Sequence, residues 1–551
     1  MFKKLKISDN TKEKIKFVGI IIILSLFACL PYLNEGTIFA HDLTYHLSRI
    51  MNTTEEITNG NFPVFIHSNL LDGFGYGNPL FYPELFLYPA IILFKLGFGI
   101  LFSYKMLIVL ATIFTFLTSF YAAKFISKDK KIAWITSMLY SMSLYRLVDI
   151  YVRGALGEVL AFIFLPLVLV GLYDVLYGDN KKWYLITLSL FAIMNSHLLS
   201  FIITVLLILG ICALHVKIIF KNKDKLKILL IAAGIAVCLC MSFILPYFEQ
   251  TIAHDFNVEV HKNSVESLKE NAIDLQEVFK NEFISDGLTV TKSLGILIIV
   301  LPILMFFVKD KNKEYLFYCK MFLLGIIILV VSTKVFPWKY FGFLSIIQFP
   351  YRLNLITTLL FSFVSGYVVI NVFNNKEDVF KVAIIVILMM SASYISKVNV
   401  NPFIITYDVL MSGNKIGNGE YVPVGFDSND KDVYSIYEFD NKIEYVKEKD
   451  KLIFNYVKKD NEFKVHVPLT FYKGYVAYVQ DEVGNKVKDI EVQRNELNSH
   501  LLLLSDSSTE GKVVVEYKTT IIQKIGYIFT IMTLVVLVNY IIYVEKIKKV
   551  R

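Results

Sequence analysis

Charge is scarce in this 551-residue chain: Asp, Glu, Lys and Arg make up 19% of it, against 55% hydrophobic residues. A soluble protein of this length keeps more polar side chains to cover its surface. The mean hydropathy of +0.55 points the same way. Cysteine is also sparse. Cys29, Cys212, Cys238, Cys240 and Cys319 lie within or at the ends of apolar blocks, and no spacing among them suits a disulfide framework or a metal site. The Cys238/Cys240 pair, mid-block with one residue between, reads as packing. A cleavable leader is missing from the pattern too: Pro31-Tyr32-Leu33-Asn34 follows the first apolar block instead of a small-residue cleavage site, so the block reads as an uncleaved anchor. No short internal repeat is visible.

What fills the chain is a series of apolar blocks of roughly 16 to 24 residues, each long enough to cross about 30 Å of hydrocarbon. In lipid the backbone must satisfy its own hydrogen bonds, so the blocks are predicted to be helices. They fall at Phe17–Leu33, Leu85–Phe98, Met106–Phe125, Ile132–Leu147, Leu156–Leu176, Trp183–Met194, Leu198–Leu214, Ile228–Tyr247, Leu294–Val308, Phe317–Ser332, Asn354–Val372, Val382–Ile395 and Ile525–Tyr543. The expected fold is an α-helical polytopic membrane protein with about 12 to 13 transmembrane helices.

The net charge of +8 sits in short lysine runs between blocks: Lys3 to Lys16, Lys128 to Lys131, Lys217 to Lys227, Lys309 to Lys313 and Lys546 to Arg551. That placement follows the positive-inside rule and argues against a nucleic-acid partner. It puts both termini in the cytoplasm. One conflict arises, because an odd number of crossings would separate the termini. Either Leu85–Phe98 does not fully cross, or Lys128–Lys131 is an exception to the rule.

By this reading residues 1–16 are a cytoplasmic N-terminus and 17–400 a polytopic domain with outer loops at 34–84 and 248–288. Residues 521–551 form a last helix with a basic cytoplasmic tail. Residues 401–520 differ in kind. Short alternating runs (Lys451-Leu-Ile-Phe-Asn-Tyr-Val, Phe463-Lys-Val-His-Val, Gly511-Lys-Val-Val-Val-Glu-Tyr), separated by turns such as Glu482-Val-Gly-Asn, predict an extracytoplasmic all-β sandwich.

Chemistry is concentrated at the outer ends of the blocks. Read as a helix, Asp42, His46 and Arg49 share one face at i, i+4 and i+7. A carboxylate at the water boundary can act as a general base toward a hydroxyl, and an arginine can hold a phosphate by paired hydrogen bonds. A salt-bridged interfacial helix is the plainer reading. Glu84 and the Glu55/Glu56 pair could supply a second acid or serve structure alone. Arg146, Arg153 and Glu158 return to the same face, where arginine near a bilayer marks a partner or pathway. Arg153 and Glu158 could equally neutralise one another. Arg352, in Gln348-Phe-Pro-Tyr-Arg, is either an interfacial anchor or a phosphate ligand. His197 caps a turn or lines the same site. His254 and His261 lie in a charged outer loop. Phe471 and Tyr472 could stack on sugar rings or form an inner strand.

Asp42-x-x-Tyr45-His46-x-x-Arg49, Asn59-Gly-Asn-Phe-Pro63 and Gly73-Phe-Gly-Tyr-Gly-Asn-Pro79-Leu-Phe-Tyr-Pro83 together resemble a bacterial polytopic membrane family called 6-pyruvoyl-tetrahydropterin synthase-related membrane protein. Tyr145-Arg146, Arg153-Gly-Ala-Leu-Gly-Glu158, Gln348-Phe-Pro-Tyr-Arg352 and Leu469-Thr-Phe-Tyr-Lys-Gly-Tyr475 extend the resemblance in matching order. The clustered histidine triad of the soluble zinc synthase is not found. The architecture looks more like the GT-C glycosyltransferases, which place an acid in the first outer loop and take sugar from polyprenyl-phosphate or polyprenyl-pyrophosphate carriers. That resemblance implies Asp42 as catalytic base. It implies His46, Arg49, Glu84, Arg146, Arg153, Glu158, His197 and Arg352 as substrate-binding residues. Many relatives have paired acids in that loop, whereas His41 precedes Asp42 here. The implied co-substrate is a polyprenyl-phosphate sugar with no cofactor, a divalent metal staying open. The implied partners are membrane lipid, the lipid-linked donor and an acceptor in the cell envelope. A transporter or flippase for a lipid-linked glycan is a second reading, with charge spread through the bilayer depth. A non-catalytic glycan-binding membrane scaffold is a third.

Overall fold

The structure, a computed structural model, describes residues 9–260, 264–284, 286, 289–400, 416–417, 419–426, 436–438, 441–457, 463–505 and 509–550. His261, residues 1–8 of the first basic run and the predicted domain start at 401 lie outside the described residues.

Among the described residues six helices are long and apolar enough to cross a membrane: Ile100–Ser127, Leu156–Tyr177, Lys313–Val331, Pro350–Val372, Lys376–Ile395 and Ile521–Val544. The helices Lys223–Leu239 and Met241–Ala253 pass the same test only as a pair, bent at 63°, which is the shape of a broken span or a re-entrant loop. Shorter apolar helices occupy other blocks, at Tyr184–Met194, Leu198–Leu214 and Ile296–Phe307. Local signals cut these blocks short. The block predicted at Ile132–Leu147 stops at Ser141, because Ser143 caps a separate turn of helix, Leu144–Val148, by accepting the Arg146 N–H at 3.3 Å.

The block predicted at Leu85–Phe98 is a helix only over Leu85–Lys95. At 1.5 Å per residue it rises roughly 17 Å, little more than half of a hydrocarbon core. Gly97, with φ +93°, ends it and turns the chain toward Ile100–Ser127. One full-length helix therefore stands between residues 85 and 127.

Burial orders the bundle. The helices Leu156–Tyr177 and Pro350–Val372 are 83% and 89% buried over their apolar windows, against 22% and 17% for Lys376–Ile395 and Ile521–Val544. The first two form the centre and the last two its periphery. Close contact at the centre depends on glycine. A Cβ on Gly366 would lie 2.0 Å from Thr136 Oγ1 and 3.0 Å from the Ile132 carbonyl oxygen. Gly366→Ala is therefore expected to force the Pro350–Val372 helix off Lys130–Ser141 at a cost of about 1–3 kcal/mol, read as a lower melting temperature in detergent.

The β-domain is one antiparallel nine-stranded sheet. Its strands are β1 Ile436–Glu438, β2 Asn441–Ile443, β3 Tyr445–Glu448, β4 Lys451–Tyr456, β5 Phe463–Thr470, β6 Tyr475–Gln480, β7 Lys486–Arg494, β8 His500–Ser505 and β9 Gly511–Tyr517. Their order is β2-β1-β5-β8-β7-β6-β9-β4-β3. The outermost strands, β2 and β3, are joined by Glu444 alone, so both edges lie side by side and the sheet must curl into a half-barrel. Inward residues of both arms, such as Leu452 and Phe454 from β4 and Val465 and Val467 from β5, share one core. The two halves thus face each other as sandwich layers do, within a continuous ladder.

The last helix fastens this domain to the bundle. At the break after Leu239, Thr530 donates its hydroxyl to the Leu239 carbonyl at 3.0 Å and accepts the Ser242 N–H at 2.9 Å. Two backbone groups orphaned by the bend are satisfied by a neighbouring helix, which stabilises it.

Candidate functional site

Asp42 is the N-cap residue of the helix Leu43–Asn59. Its backbone is fixed from across the site: the Asp42 N–H donates to the Arg153 carbonyl at 2.8 Å, and the His41 N–H to the Val152 carbonyl at 3.0 Å. Gly154, with φ +64°, makes that approach possible, because a Cβ there would sit 3.0 Å from Ala40 Cβ and 3.1 Å from the Leu43 nitrogen. The side chain is solvent-exposed and makes no capping bond. Among the described residues its carboxylate has no hydrogen-bond or ion-pair partner. Surrounding protein raises its pKa above the ordinary aspartate value, with Arg153, Arg352 and His41 pulling it down and Glu158 pushing it up.

Beneath Asp42 lies a buried ionic cluster at the ends of the two central helices. Arg153 pairs with Asp149 Oδ1 at 2.5 Å and with Glu158 Oε1 at 2.8 Å. Arg352 Nε approaches the same Glu158 oxygen at 3.1 Å, while its Nη1 donates to Gln348 Oε1 at 2.5 Å. The Tyr145 hydroxyl donates to Glu158 Oε2 at 2.9 Å. Two cations thus balance two carboxylates, and Asp42 adds an unpaired one at the edge. The turn Asp149–Arg153 is a π-helical segment, a geometry that brings Asp149 and Arg153 together and recurs at functional sites. The guanidiniums also rest on aromatic rings, Arg153 5.3 Å from the Tyr351 centroid and Arg352 4.9 Å from Phe349.

The structure gathers Asp42, Arg153, Glu158 and Arg352. It places the other sequence candidates elsewhere or gives them another task. Arg49 is buried and turned inward: Nη2 donates to the Tyr82 and Pro83 carbonyls at 3.1 and 2.8 Å, and Nε faces Glu84 at 3.5 Å. It is not presented to a phosphate. Its helical neighbour His46 is buried beside it, Nδ1 3.4 Å from Nη1, and burial together with Arg49 and His197 depresses its pKa well below the ordinary value. Glu84 accepts the Thr53 hydroxyl at 2.5 Å. Burial would raise its pKa, but His67, Arg49 and Thr53 hold it below the usual range, a structural rather than catalytic setting. Glu56 accepts from Ser68 and Asn61, and Glu55 from Asn69.

Arg146 is fully buried and caps a helix end, donating to the Ser141 carbonyl at 2.9 Å and the Thr112 hydroxyl at 3.0 Å. It does not face the site. His197 is the N-cap of Leu198–Leu214, its Nδ1 accepting the Ser200 N–H at 3.3 Å. Its ring also stands edge-on to Tyr82 at 5.9 Å, so it borders the site as well as capping. His254 packs edge-on against Phe471 at 4.6 Å.

Asp149, Tyr145 and Tyr82 were not singled out from the sequence. Asp149 carried a usable signal, lying four residues before Arg153. Tyr82 carried none beyond membership of an aromatic motif.

The β-domain reaches this site through the first loop. Lys447 donates to the Ser68 and Gly73 carbonyls at 2.7 and 3.0 Å, and the Thr470 N–H to the Phe74 carbonyl at 2.8 Å. Tyr472 is fully buried and packs on Gly77, where a Cβ would meet its ring at 2.6 to 2.8 Å. The next residue, Asn78, accepts the Tyr45 hydroxyl at 2.5 Å on the helix that Asp42 begins. The two aromatic motifs of the sequence are halves of one interface, and Phe471 and Tyr472 are packing residues rather than exposed sugar platforms. Gly77→Ala is expected to displace Tyr472 at about 1–3 kcal/mol and to raise protease sensitivity in residues 60–80.

Beside the cluster, apolar Pro83, Phe86, Leu87, Leu156 and Leu160 pack closely with Arg49, Gly157, Asn195 and Ser196, leaving no room for a water-sized molecule. Among the described residues no group of three or more His, Cys, Asp or Glu is arranged to hold a metal.

Fold and site together define a polytopic helical membrane protein with a polar cluster at one end of its bundle and a β-domain packed on the first loop. The chain belongs to the family of the bacterial membrane protein YfhO, whose model matches residues 80–549. The bacterial polytopic membrane class is what this family shares with the resemblance drawn from the motifs; the pterin-synthase-related name has no counterpart in it. An uncharacterized protein of Lactococcus lactis subsp. cremoris (strain MG1363) is 23% identical over 351 residues, covering 60% of this chain and 55% of the relative. The chain thus spans about half the length of that curated relative. Among solved structures, the mycobacterial arabinofuranosyltransferase AftD is similar at a TM-score of 0.45 and 11% identity, over 70% of this chain and 27% of that one. The Archaeoglobus fulgidus oligosaccharyltransferase in its apo form is similar at 0.39 and 12%, over 70% and 56%.

Proposed function

We propose that the chain is a GT-C-type glycosyltransferase that moves a sugar from a polyprenyl-phosphate carrier to an acceptor hydroxyl, with Asp42 as general base. The observation that carries this reading is the contrast among the acids. Asp149 and Glu158 are held by Arg153 within hydrogen-bond distance, whereas the exposed Asp42 carboxylate has no partner among the described residues and lies within the field of Arg153 and Arg352. An unpaired carboxylate beside two cations is suited to take a proton at the place where a phosphate leaves.

In the reaction, Asp42 accepts the proton of the acceptor hydroxyl. The oxygen attacks the anomeric carbon, and the bond from that carbon to the carrier's phosphate oxygen breaks. The electron pair leaves with the phosphate, whose growing charge Arg352 and Arg153 offset. Asp42 then releases its proton to water. Both termini are cytoplasmic in this reading, and the β-domain, taken as residues 401–520, is outside with the cell-envelope acceptor.

Membranes containing wild type or Asp42→Asn, offered radiolabelled polyprenyl-phosphate sugars, test the proposal. Label should pass to an acceptor with wild type only. Equal transfer by both proteins would remove Asp42 as base, and a folded wild type that moves no sugar from any donor would count against the reaction itself.

A further inference from the structure

Tyr82 follows the first loop into the site and is held there from several sides. The Arg49 guanidinium lies 4.1 Å from its ring centroid and 5.7 Å from that of Tyr45. The two tyrosine rings stand 6.3 Å apart at 36°, both half-buried, and the Tyr45 hydroxyl is fixed by Asn78. Arg49 is itself pinned by the Tyr82 and Pro83 carbonyls, so the cation that faces both rings is fixed.

The far end of Tyr82 is unoccupied chemically. Its hydroxyl has no hydrogen-bond partner among the described residues. It projects over Gly157, where a Cβ would come within 2.3 Å of it. Asp42, Arg352 and Glu158 all act on it electrostatically, and burial pushes the phenol up to about 12. It is therefore a neutral hydroxyl, able both to donate and to accept.

We infer that Tyr45 and Tyr82 form a sugar-ring subsite beside Asp42, the rings packing against the saccharide and the Tyr82 hydroxyl bonding one of its hydroxyl groups. A sugar fits these groups better than a phosphate does. Phosphate oxygens mainly accept and carry negative charge, which suits a site with a carboxylate poorly. A sugar hydroxyl donates and accepts, matching a carboxylate and a phenol within electrostatic reach of each other, while the ring's C–H faces suit an aromatic wall. Gly157 is the residue that leaves room for the phenol: Gly157→Ala would drive it from the site.

The inference rests on the sugar-transfer reading, and its test separates the two. The full-length protein in lipid nanodiscs is offered polyprenyl phosphate, the same lipid carrying glucose or N-acetylglucosamine, and the corresponding methyl glycosides without lipid. Wild type should bind one of the sugar-bearing lipids on the order of tenfold more tightly than the bare one. Tyr82→Leu should abolish that advantage, and Tyr82→Phe, which keeps the ring and guards against misfolding, should lose part of it. If Tyr82→Leu spares the lipid advantage but removes methyl-glycoside binding seen by saturation-transfer NMR, the sugar ring held here is the acceptor's. Sugar recognition unchanged by both substitutions, or absent from wild type, overturns the subsite. Failure of the bare lipid phosphate to bind wild type counts instead against the transfer reading, with glycoside binding then deciding the subsite alone.

Discussion

Arg153→Ala should be among the most damaging single substitutions in the chain, costing about 3–5 kcal/mol of stability or preventing accumulation of folded protein. The guanidinium bridges Asp149 and Glu158, and the three side chains are 6%, 0% and 2% exposed. Removing it leaves Asp149 buried without a cation and leaves Glu158 only Arg352. A buried charge without a partner costs far more than its pair contributed. Arg153→Lys should be nearly as harmful, because one ammonium cannot reproduce the fork that reaches both carboxylates. Neutralising Asp149 too, as Arg153→Met with Asp149→Asn, leaves Glu158 paired with Arg352 and should restore much of the loss. Fluorescence-detected gel filtration and melting temperatures in detergent measure all of these. A loss below about 1 kcal/mol for Arg153→Ala would mean that the cluster is as hydrated as a surface ion pair.

Asp42→Asn should behave in the opposite way, leaving the fold intact while transfer falls on the order of 10²–10⁴-fold. The sign of the stability effect follows from the direction of the pKa shift. Although the Asp42 side chain reaches solvent, the protein around it desolvates the carboxyl and raises its pKa, so the folded state binds its proton more readily than the unfolded chain does. The group therefore favours folding at low pH, and that contribution is lost as pH rises through the window between its unfolded and folded values. At neutral pH the folded protein holds a charge that its surroundings disfavour, and an uncharged Asn removes the cost. The melting temperature of Asp42→Asn should equal or exceed that of wild type at pH 7. Activity runs the other way, because a base must be ionised: the rate should climb with pH through the raised value, with an acid limb above that of an ordinary aspartate. A variant that melts well below wild type would show Asp42 to be holding structure, and a pH–rate profile flat across that window would remove it from proton transfer.

Much of the architecture was legible because it follows from local periodicity and from solvent preference. Blocks such as Leu198–Leu214 and Asn354–Val372 are helices with the predicted bounds, since a run of apolar residues in lipid has no other way to satisfy its backbone. The strand Lys451–Tyr456 matches its alternating pattern, which records one face inward and one outward, and Gly511–Tyr517 forms where predicted but is buried on both faces over Val513 to Glu516. Asp42 could be picked out because it opens a helix straight after an apolar block. Three-dimensional packing decided the rest. Arg49 and Arg153 look alike in sequence, both basic and both beside the membrane, but Arg49 spends its donors on the Tyr82 and Pro83 carbonyls while Arg153 closes on two acids under Asp42. Arg146 reads like Arg153 as well, yet a capped turn rotates it onto Ser141 and Thr112. Nor could periodicity reveal that Tyr472, nearly 400 residues downstream of Gly77, sits on that glycine and so fixes the loop carrying the site. Sequence sets which segments face lipid, water or one another along a single element. Which polar groups meet at its ends depends on helix rotation and on contacts between distant segments, and those exist only in the packed molecule.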